Sequence, residues 1–217
     1  MKKHHLLLSI LFISLTNFTV KAQKISLTKN FKENAIRAIN RDINLDSLNK
    51  NALLINSEIG NGIGVLENIS FTKGEIKLEL AGKNLRGKSF VGIAFNIQND
   101  STYEAIYFRP FNFKATEEIR KKHMVQYIHH PEYTWKKLRT EKTGKYENEI
   151  ADPPNPDYWF TVKIIIQEKE VLVFINKSKI PDLVVTRLTE TKSDKIGLWT
   201  GYNSSGRYKN LSIKKQK

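Results

Sequence analysis

From residue 52 onward the chain alternates polar and apolar positions with period two, the pattern of strands with one face in a core. Ile76, Leu78 and Leu80 alternate with Glu75, Lys77 and Glu79. "ENISF" and "EIKLEL" flank "TKG", which reads as a hairpin with Gly74 at the turn. In "FVGIAFNIQ", Val91, Ile93, Phe95 and Ile97 point one way, and Gly92, Ala94, Asn96 and Gln98 the other. "YEAIYF" follows the turn "NDS", and "VQYIHH" follows a charged insertion. "YWFTVKIIIQ" and "EVLVFIN" form a second hairpin across "EK", and "LVVTRL", "KIGLWTG" and "YKNLSI" complete the set. About ten strands with regular turns and no strong helix predict an all-β, two-sheet antiparallel sandwich, most simply a jelly roll. In "LTKNFKENAIRAINRDI", Phe31, Ile36, Ile39 and Ile43 fit either a short amphipathic helix or a covering arm with one short strand. The expected organisation is a leader over 1–22, an N-terminal arm or short helix over 23–50, and the sandwich over 51–217.

The leader stands apart from this pattern. "MKKHH" is basic, "LLLSILFISL" is an apolar run of signal-peptide length, and Val20 and Ala22 sit at the small-residue positions before a cut. The run is short for a membrane span, so no stable membrane insertion is expected once the leader is removed. The chain has no cysteine, which excludes disulfides and a lipid on a cysteine after the signal. The expected location is outside the cytoplasm, periplasmic or secreted. The net charge is +14 over 217 residues. The lysines are dispersed, with no basic run and no nucleic-acid motif, so the charge reads as a solvated surface, and no nucleic-acid partner is expected.

Three stretches carry candidate chemistry. In "YEAIYFRPFNF", alternation puts Tyr103, Ala105, Tyr107 and Arg109 on one face, with Glu104, Ile106 and Phe108 on the other. Pro110 ends or bulges the strand. Arg109 then stands at a strand end, able to aim its planar donor fork at an oxygen-rich ligand or at a structural carboxylate. The groove reading expects Arg109→Ala to leave folding nearly intact and to abolish ligand binding. "VQYIHHPEYTWKKLR" gathers Gln126, Tyr127, His129, His130, Glu132, Tyr133 and Trp135. Amides and aromatics suit sugars, which offer C–H patches and paired hydroxyls, although Tyr127 and Trp135 can equally plug one end of the core. His129 and His130 point to opposite faces and cannot readily share an ion, and there is no HxH or HExxH spacing, so neither a metal nor another cofactor is expected. In "KIGLWTGYNSSGR", Trp199 shares a face with Gly197 and Gly201, as an exposed stacking platform or a plug under a loop. The small face of Gly92, Ala94 and Asn96 either leaves room for a ligand or is crowded by a covering loop.

These residues carry a resemblance. "FTKGEIKLELAGKN", "FVGIAFNIQNDSTYEAIYFRPFN", "QYIHHPEYTW", the W-F-T-V-K-I-I-I strand, "EVLVFIN" and "GLWTGYNSSGRYKNLSI" are ordered as in the concanavalin A-like lectin/glucanase superfamily. More narrowly, the chain resembles exported bacterial domains of the 3-keto-disaccharide hydrolase and glycoside hydrolase family 16-like group over about residues 50–213. The resemblance implies a jelly roll with a ligand groove on its concave sheet, and a sugar or polysaccharide ligand. It departs from the glucanases in one respect. Their E-x-D-x-E or E-x-D-x-x-E strand, which sets two catalytic carboxylates on one face, is absent. Glu75 and Glu79 lack the intervening Asp, and Glu147, Glu149 and Asp152 have the wrong order. The resemblance to the 3-keto-disaccharide hydrolases implies a route without that motif, in which an oxidised sugar loses its aglycone by elimination and water then adds; it calls for a base, an acid and often a carbonyl-polarising cation, for which His130, Glu132, Glu104 and Arg109 are candidates.

The expected function is therefore an exported carbohydrate-active jelly roll that binds and can hydrolyse a glycoside or 3-keto-sugar. His130 and Glu132 are its candidate catalytic pair, and Asn96, Tyr107, Arg109, Gln126, Trp135 and Trp199 its candidate substrate contacts. The alternatives are a non-catalytic glycan-binding module and a protein-interaction scaffold.

Overall fold

The alternation closes into two sheets. The computed structural model describes residues 21–216, so the leader reading, apart from its last two residues, lies outside the described residues. The first sheet runs β13 (Leu183–Thr186), β12 (Glu170–Ile175), β11 (Phe160–Ile166), β6 (Gly74–Ala81), β15 (Gly206–Lys215), β4 (Leu53–Ile55) and β3 (Ile43–Leu45), with β1 (Gln23–Ile25) also paired to β15. The second runs β10 (Glu147–Asn148), β9 (Val125–His130), β8 (Tyr103–Phe108), β7 (Val91–Phe95), β14 (Gly197–Thr200), β5 (Gly62–Leu66) and β2 (Ile36–Ile39). The pairings are antiparallel throughout. The fold is the expected jelly-roll sandwich.

The core lies where the predicted apolar faces meet. Ile76, Leu78 and Leu80 stand opposite Ile164, Val162 and Phe160 in the first sheet. Ile93 lies between Ile106 and Leu198 in the second. Phe108 of β8 meets Phe160 of β11 edge-on at 5.4 Å, so the two sheets interlock through aromatic rings. The hairpin of β11 and β12 forms as read, with Gln167 N–H donating to the Glu170 carbonyl at 2.9 Å.

Two expectations change. "ENISF" is not a strand: residues 67–71 carry the chain from the second sheet to the first, and the paired segment is the preceding "GIGVL" of β5. Its glycines concealed it, because glycine is a poor strand former. Gly64 is there for space, since a Cβ would come within 2.7 Å of Ile43 Cδ1. Segment 23–50 combines both readings offered for it. A short helix α1 (Leu27–Lys32), N-capped by Ser26, is followed by strands that extend both sheets, so the arm is continuous with the sandwich.

The outer face of the second sheet is also enclosed. β8 is buried along its whole length, because segments from outside the ladder fold over it. These are the loop before β7, a 3₁₀ turn (Pro110–Asn112), the short helix α2 (Glu118–Lys121) with the residues after it, and helix α3 (Trp135–Glu141). Thr134 caps α3 by accepting from Lys137 N–H at 3.3 Å. This roof turns one face of a sheet into a walled cavity.

Candidate functional site

Strand register lays five residues in one row across the outer face. Trp199 pairs with Gly92, Gly92 with Tyr107, Tyr107 with Gln126, and Gln126 with Glu147. Residues directly across a ladder share a face, so the row is set by pairing rather than by loop conformation. Gly92 must lack a side chain, as a Cβ there would lie 2.1 Å from the Ile106 carbonyl oxygen and 2.8 Å from Tyr107 Cβ. Its absence lets the rings of Tyr107 and Trp199 close over it, with centroids 4.9 Å apart and planes tilted by 36°.

Above this row is a cavity of about 620 Å³, within the usual range for small-molecule sites. Tyr107, Trp199 and Arg109 form its base, and all three are buried, so of the two readings offered for Trp199 the structure shows the plug and not the exposed stacking platform. Phe90 and Phe111 wall one side, edge to face at 5.4 Å. Trp135, 48% exposed, and Tyr202 stand at the rim.

Arg109 is held from several sides. It is 5% exposed. Its Nη2 donates to the Tyr107 hydroxyl at 2.6 Å and to Gln126 Oε1, and its Nη1 donates to the His123 carbonyl at 3.1 Å. The guanidinium lies 4.9 Å from the Tyr107 ring centroid. The Tyr107 hydroxyl in turn donates to Gln126 Oε1 at 2.8 Å. Two donors on Oε1 fix the amide's orientation and leave Gln126 Nε2 buried without a partner. The two roles considered for Arg109 thus coincide: it lines the cavity, and it braces the sheet. These contacts predict that removing Arg109 costs stability, where the groove reading expects folding to be nearly unaffected.

One buried carboxylate organises the cations. Glu147 accepts from Arg139 Nε at 2.9 Å and from Nη2 at 2.6 Å, a two-point fork. His123 Nε2 lies 3.3 Å from Glu147 Oε1, and Arg109 Nη1 lies 3.8 Å from Oε2. Burial pushes the His123 pKa below its ordinary value despite the nearby Glu147, and it pushes the Tyr107 hydroxyl up despite Arg109. At neutral pH His123 is thus an uncharged imidazole facing the cavity, and Tyr107 keeps its proton.

The opposite wall is uncharged. Tyr103 stacks on His130 with centroids 5.3 Å apart and planes 9° from parallel. The Tyr103 hydroxyl accepts from Trp199 Nε1 at 3.3 Å and from Asn61 Nδ2 at 3.1 Å. Burial, and secondarily His129, lowers the His130 pKa.

The structure brings Tyr107, Arg109, His130, Trp135 and Trp199 to this one cavity, with Gln126 directly beneath. Asn96 is elsewhere. Its backbone turns to φ 50° after β7, so alternation stops before it. Its Nδ2 donates to Glu104 Oε2 at 2.7 Å, joining a buried cluster in which Arg187 pairs with Glu104 on the core side of the sheet. Glu104 is therefore committed there as well. Glu132 is exposed and does not line the cavity, so it does not share a site with His130. His129 faces away from His130, as read. His123, Arg139, Arg86, Asn61, Phe90 and Phe111 were not foreseen. Arg139 lies on helix α3 and Phe111 in the 3₁₀ turn, both inside stretches that the sequence singled out, while the others come from segments that carry no period.

Among the described residues no group of three or more His, Cys, Asp or Glu side chains is placed to hold a metal ion. No helix among them is long and apolar enough to cross a membrane.

Neither known protein families nor curated proteins match the sequence. Solved structures do match in fold. The carbohydrate binding module CBM66 from Bacillus subtilis superposes with a TM-score of 0.56 at 9% identity, covering 82% of this chain and 93% of that one. A Bacillus subtilis protein of unknown function with a galectin-like fold gives 0.57 at 13%, covering 89% and 94%. The exoplasmic/lumenal domain of VIP36, in its Ca²⁺/Man3GlcNAc-bound form, gives 0.56 at 11%, covering 84% and 86%. The fold is a concanavalin A-like jelly roll. At these identities the likeness fixes architecture alone.

Proposed function

We propose that the chain is an exported glycan-binding protein whose ligand sits in the cavity on the outer face of the seven-stranded sheet. One observation carries this reading: a roofed cavity with two exposed aromatic rings at its mouth, Trp135 and Tyr202, above a floor made of the buried Tyr107–Trp199 pair and the Arg109 guanidinium. Aromatic faces take the C–H side of a sugar ring while fixed donors take its hydroxyls. The carbohydrate binding module and the mannoside-bound lumenal domain with the same fold support the ligand class. The apolar run after a basic start supports export.

Glucanase-type hydrolysis does not fit. It needs two carboxylates flanking the scissile bond, whereas no Asp or Glu lines this cavity. A second reading, elimination from a 3-keto-sugar, draws on a different observation. His123 lines the cavity as a neutral imidazole with Glu147 within 3.3 Å, an arrangement that orients a general base. His130 remains the alternative base.

The test is to incubate the protein with oligosaccharides and 3-keto-glucosides, measure retention by affinity chromatography and follow released products by mass spectrometry. Retention without release is the expected result. Release that disappears in His123→Ala or His130→Ala favours the second reading. Neither retention nor release overturns both.

A further inference from the structure

The side chains lining the cavity are unbalanced in charge. Arg86, Arg109, Arg120 and Arg139 line it, and no carboxylate does. Two acids balance part of this charge from outside the lining. Glu147 lies behind Arg139 and Arg109, and Glu117 pairs with Arg120 at 3.1 Å. Four guanidiniums thus face two carboxylates.

The donors are not all spent. Arg120 uses all three of its nitrogens within the protein, donating to Asn112, Glu117 and the Phe111 carbonyl. Arg109 is tied to Tyr107, Gln126 and the His123 carbonyl. Arg139 gives Nε and Nη2 to Glu147 and has no protein partner for Nη1. Arg86 has no ion pair or side-chain hydrogen bond among the described residues and stands exposed in the loop before β7. A cavity built only for neutral hydroxyls has no use for this surplus, because hydroxyls need acceptors as well as donors. Guanidinium is donor-only and matches the two oxygens of a carboxylate or sulfate.

Building on the glycan reading, we infer that the cavity takes an acidic saccharide, one carrying a carboxylate or sulfate, whose anionic group is received by the free donors of Arg86 and Arg139 while its ring stacks on the half-exposed Trp135 at the mouth. This chemistry also gives the site selectivity that stacking alone lacks. A ring face stacks on an aromatic whatever its substituents, whereas an unpaired guanidinium discriminates by charge.

The competing explanation is the overall charge of +14, which attracts any polyanion. The test therefore compares matched glycans and matched variants. Oligogalacturonate is set against its methyl-esterified form, and sulfated galactan against its desulfated form. Each is titrated calorimetrically into the wild-type protein, Arg86→Gln and Lys77→Gln. Lys77 lies on the outer face of the other sheet. Both substituted residues are exposed, so both variants should fold.

The inference expects an acidic form to bind about tenfold or more tightly than its neutral counterpart, with that advantage lost in Arg86→Gln and kept in Lys77→Gln. The arm that binds distinguishes carboxylate from sulfate. Equal affinity for acidic and neutral forms overturns the inference and leaves the glycan reading standing. An acidic preference that Arg86→Gln does not reduce also overturns it, and assigns the preference to the whole surface. No binding of any form removes the glycan reading, and this inference with it.

Discussion

Arg109 shows why a residue's face and its role are separate questions. Alternation was sufficient to put it beside Tyr107, and although Arg109 lies just past the end of β8, its Nη2 reaches the Tyr107 hydroxyl at 2.6 Å. What alternation could not convey is burial, because the residues that enclose Arg109 come from β9, β10 and the segment before β9. We predict that Arg109→Ala lowers stability by about 3 kcal/mol, since it leaves Tyr107 and Gln126 with unfilled buried hydrogen bonds and removes a cation from Glu147. Urea unfolding measures this, and a midpoint within error of wild type would show that the guanidinium is not structural. Asn96 teaches the converse. Its left-handed backbone ends the strand, so period-two counting past Phe95 assigned it a face it does not have. Asparagine is among the residues that tolerate this conformation best, so the signal was present in the residue type.

At the scale of elements, the second sheet depends on one missing side chain. Gly92 sits between Trp199 and Tyr107 in the ladder, and a Cβ there strikes the backbone of β8 rather than a movable side chain. Gly92→Ala is expected to destabilise the protein by more than about 3 kcal/mol or to abolish folding, read as loss of soluble protein or of its cooperative melting transition. A soluble variant with a normal melting temperature would contradict the packing described. The strands with regular alternation were legible in the sequence, including the hairpin of β11 and β12. The roof was not, since a 3₁₀ turn and two short helices are specified by contacts with the sheet rather than by a repeating pattern. β5 was missed for a related reason. Two of its five residues are glycines, whose purpose is visible only when the neighbouring Ile43 and Arg41 are in place.

At the scale of the whole molecule, three histidines are enclosed in their uncharged form. Burial is the leading cause that lowers the pKa of His123, His129 and His130 below 6.5. The surrounding charges act in both directions. Glu147 opposes the shift at His123 while Arg139, Arg109 and Lys122 reinforce it, and Glu104 and Glu132 oppose it at His129 while Arg187 reinforces it. His130 stacks on the Tyr103 ring and lies 3.5 Å from Asn61 Nδ2, and the charge of His129 on the other face reinforces its shift. The unfolded chain then binds more protons than the folded one between the lowered values and 6.5, so stability is present above 6.5 and is lost as the pH falls through that window. The exposed carboxylates with lowered values, such as Glu117 and Glu118, titrate below 4.5 and act only there. The melting temperature is therefore expected to fall by a few degrees between pH 7.5 and 5.5. A flat profile there would mean that the histidines are not held neutral.

The central claim is that a glycan occupies the cavity on the outer face of the seven-stranded sheet. The chain has three tryptophans, which allow a direct test. Trp199 is in the base of the cavity and Trp135 at its mouth, while Trp159 lies under Arg207 and Lys209 on the other sheet. The decisive measurement is a calorimetric titration of a retained glycan into wild type, Trp135→Ala and Trp159→Ala. The account predicts that Trp135→Ala loses about tenfold or more in affinity with an unchanged melting temperature, and that Trp159→Ala binds as wild type does. Full affinity in Trp135→Ala together with weakened binding in Trp159→Ala would put the ligand on the other sheet and contradict the claim.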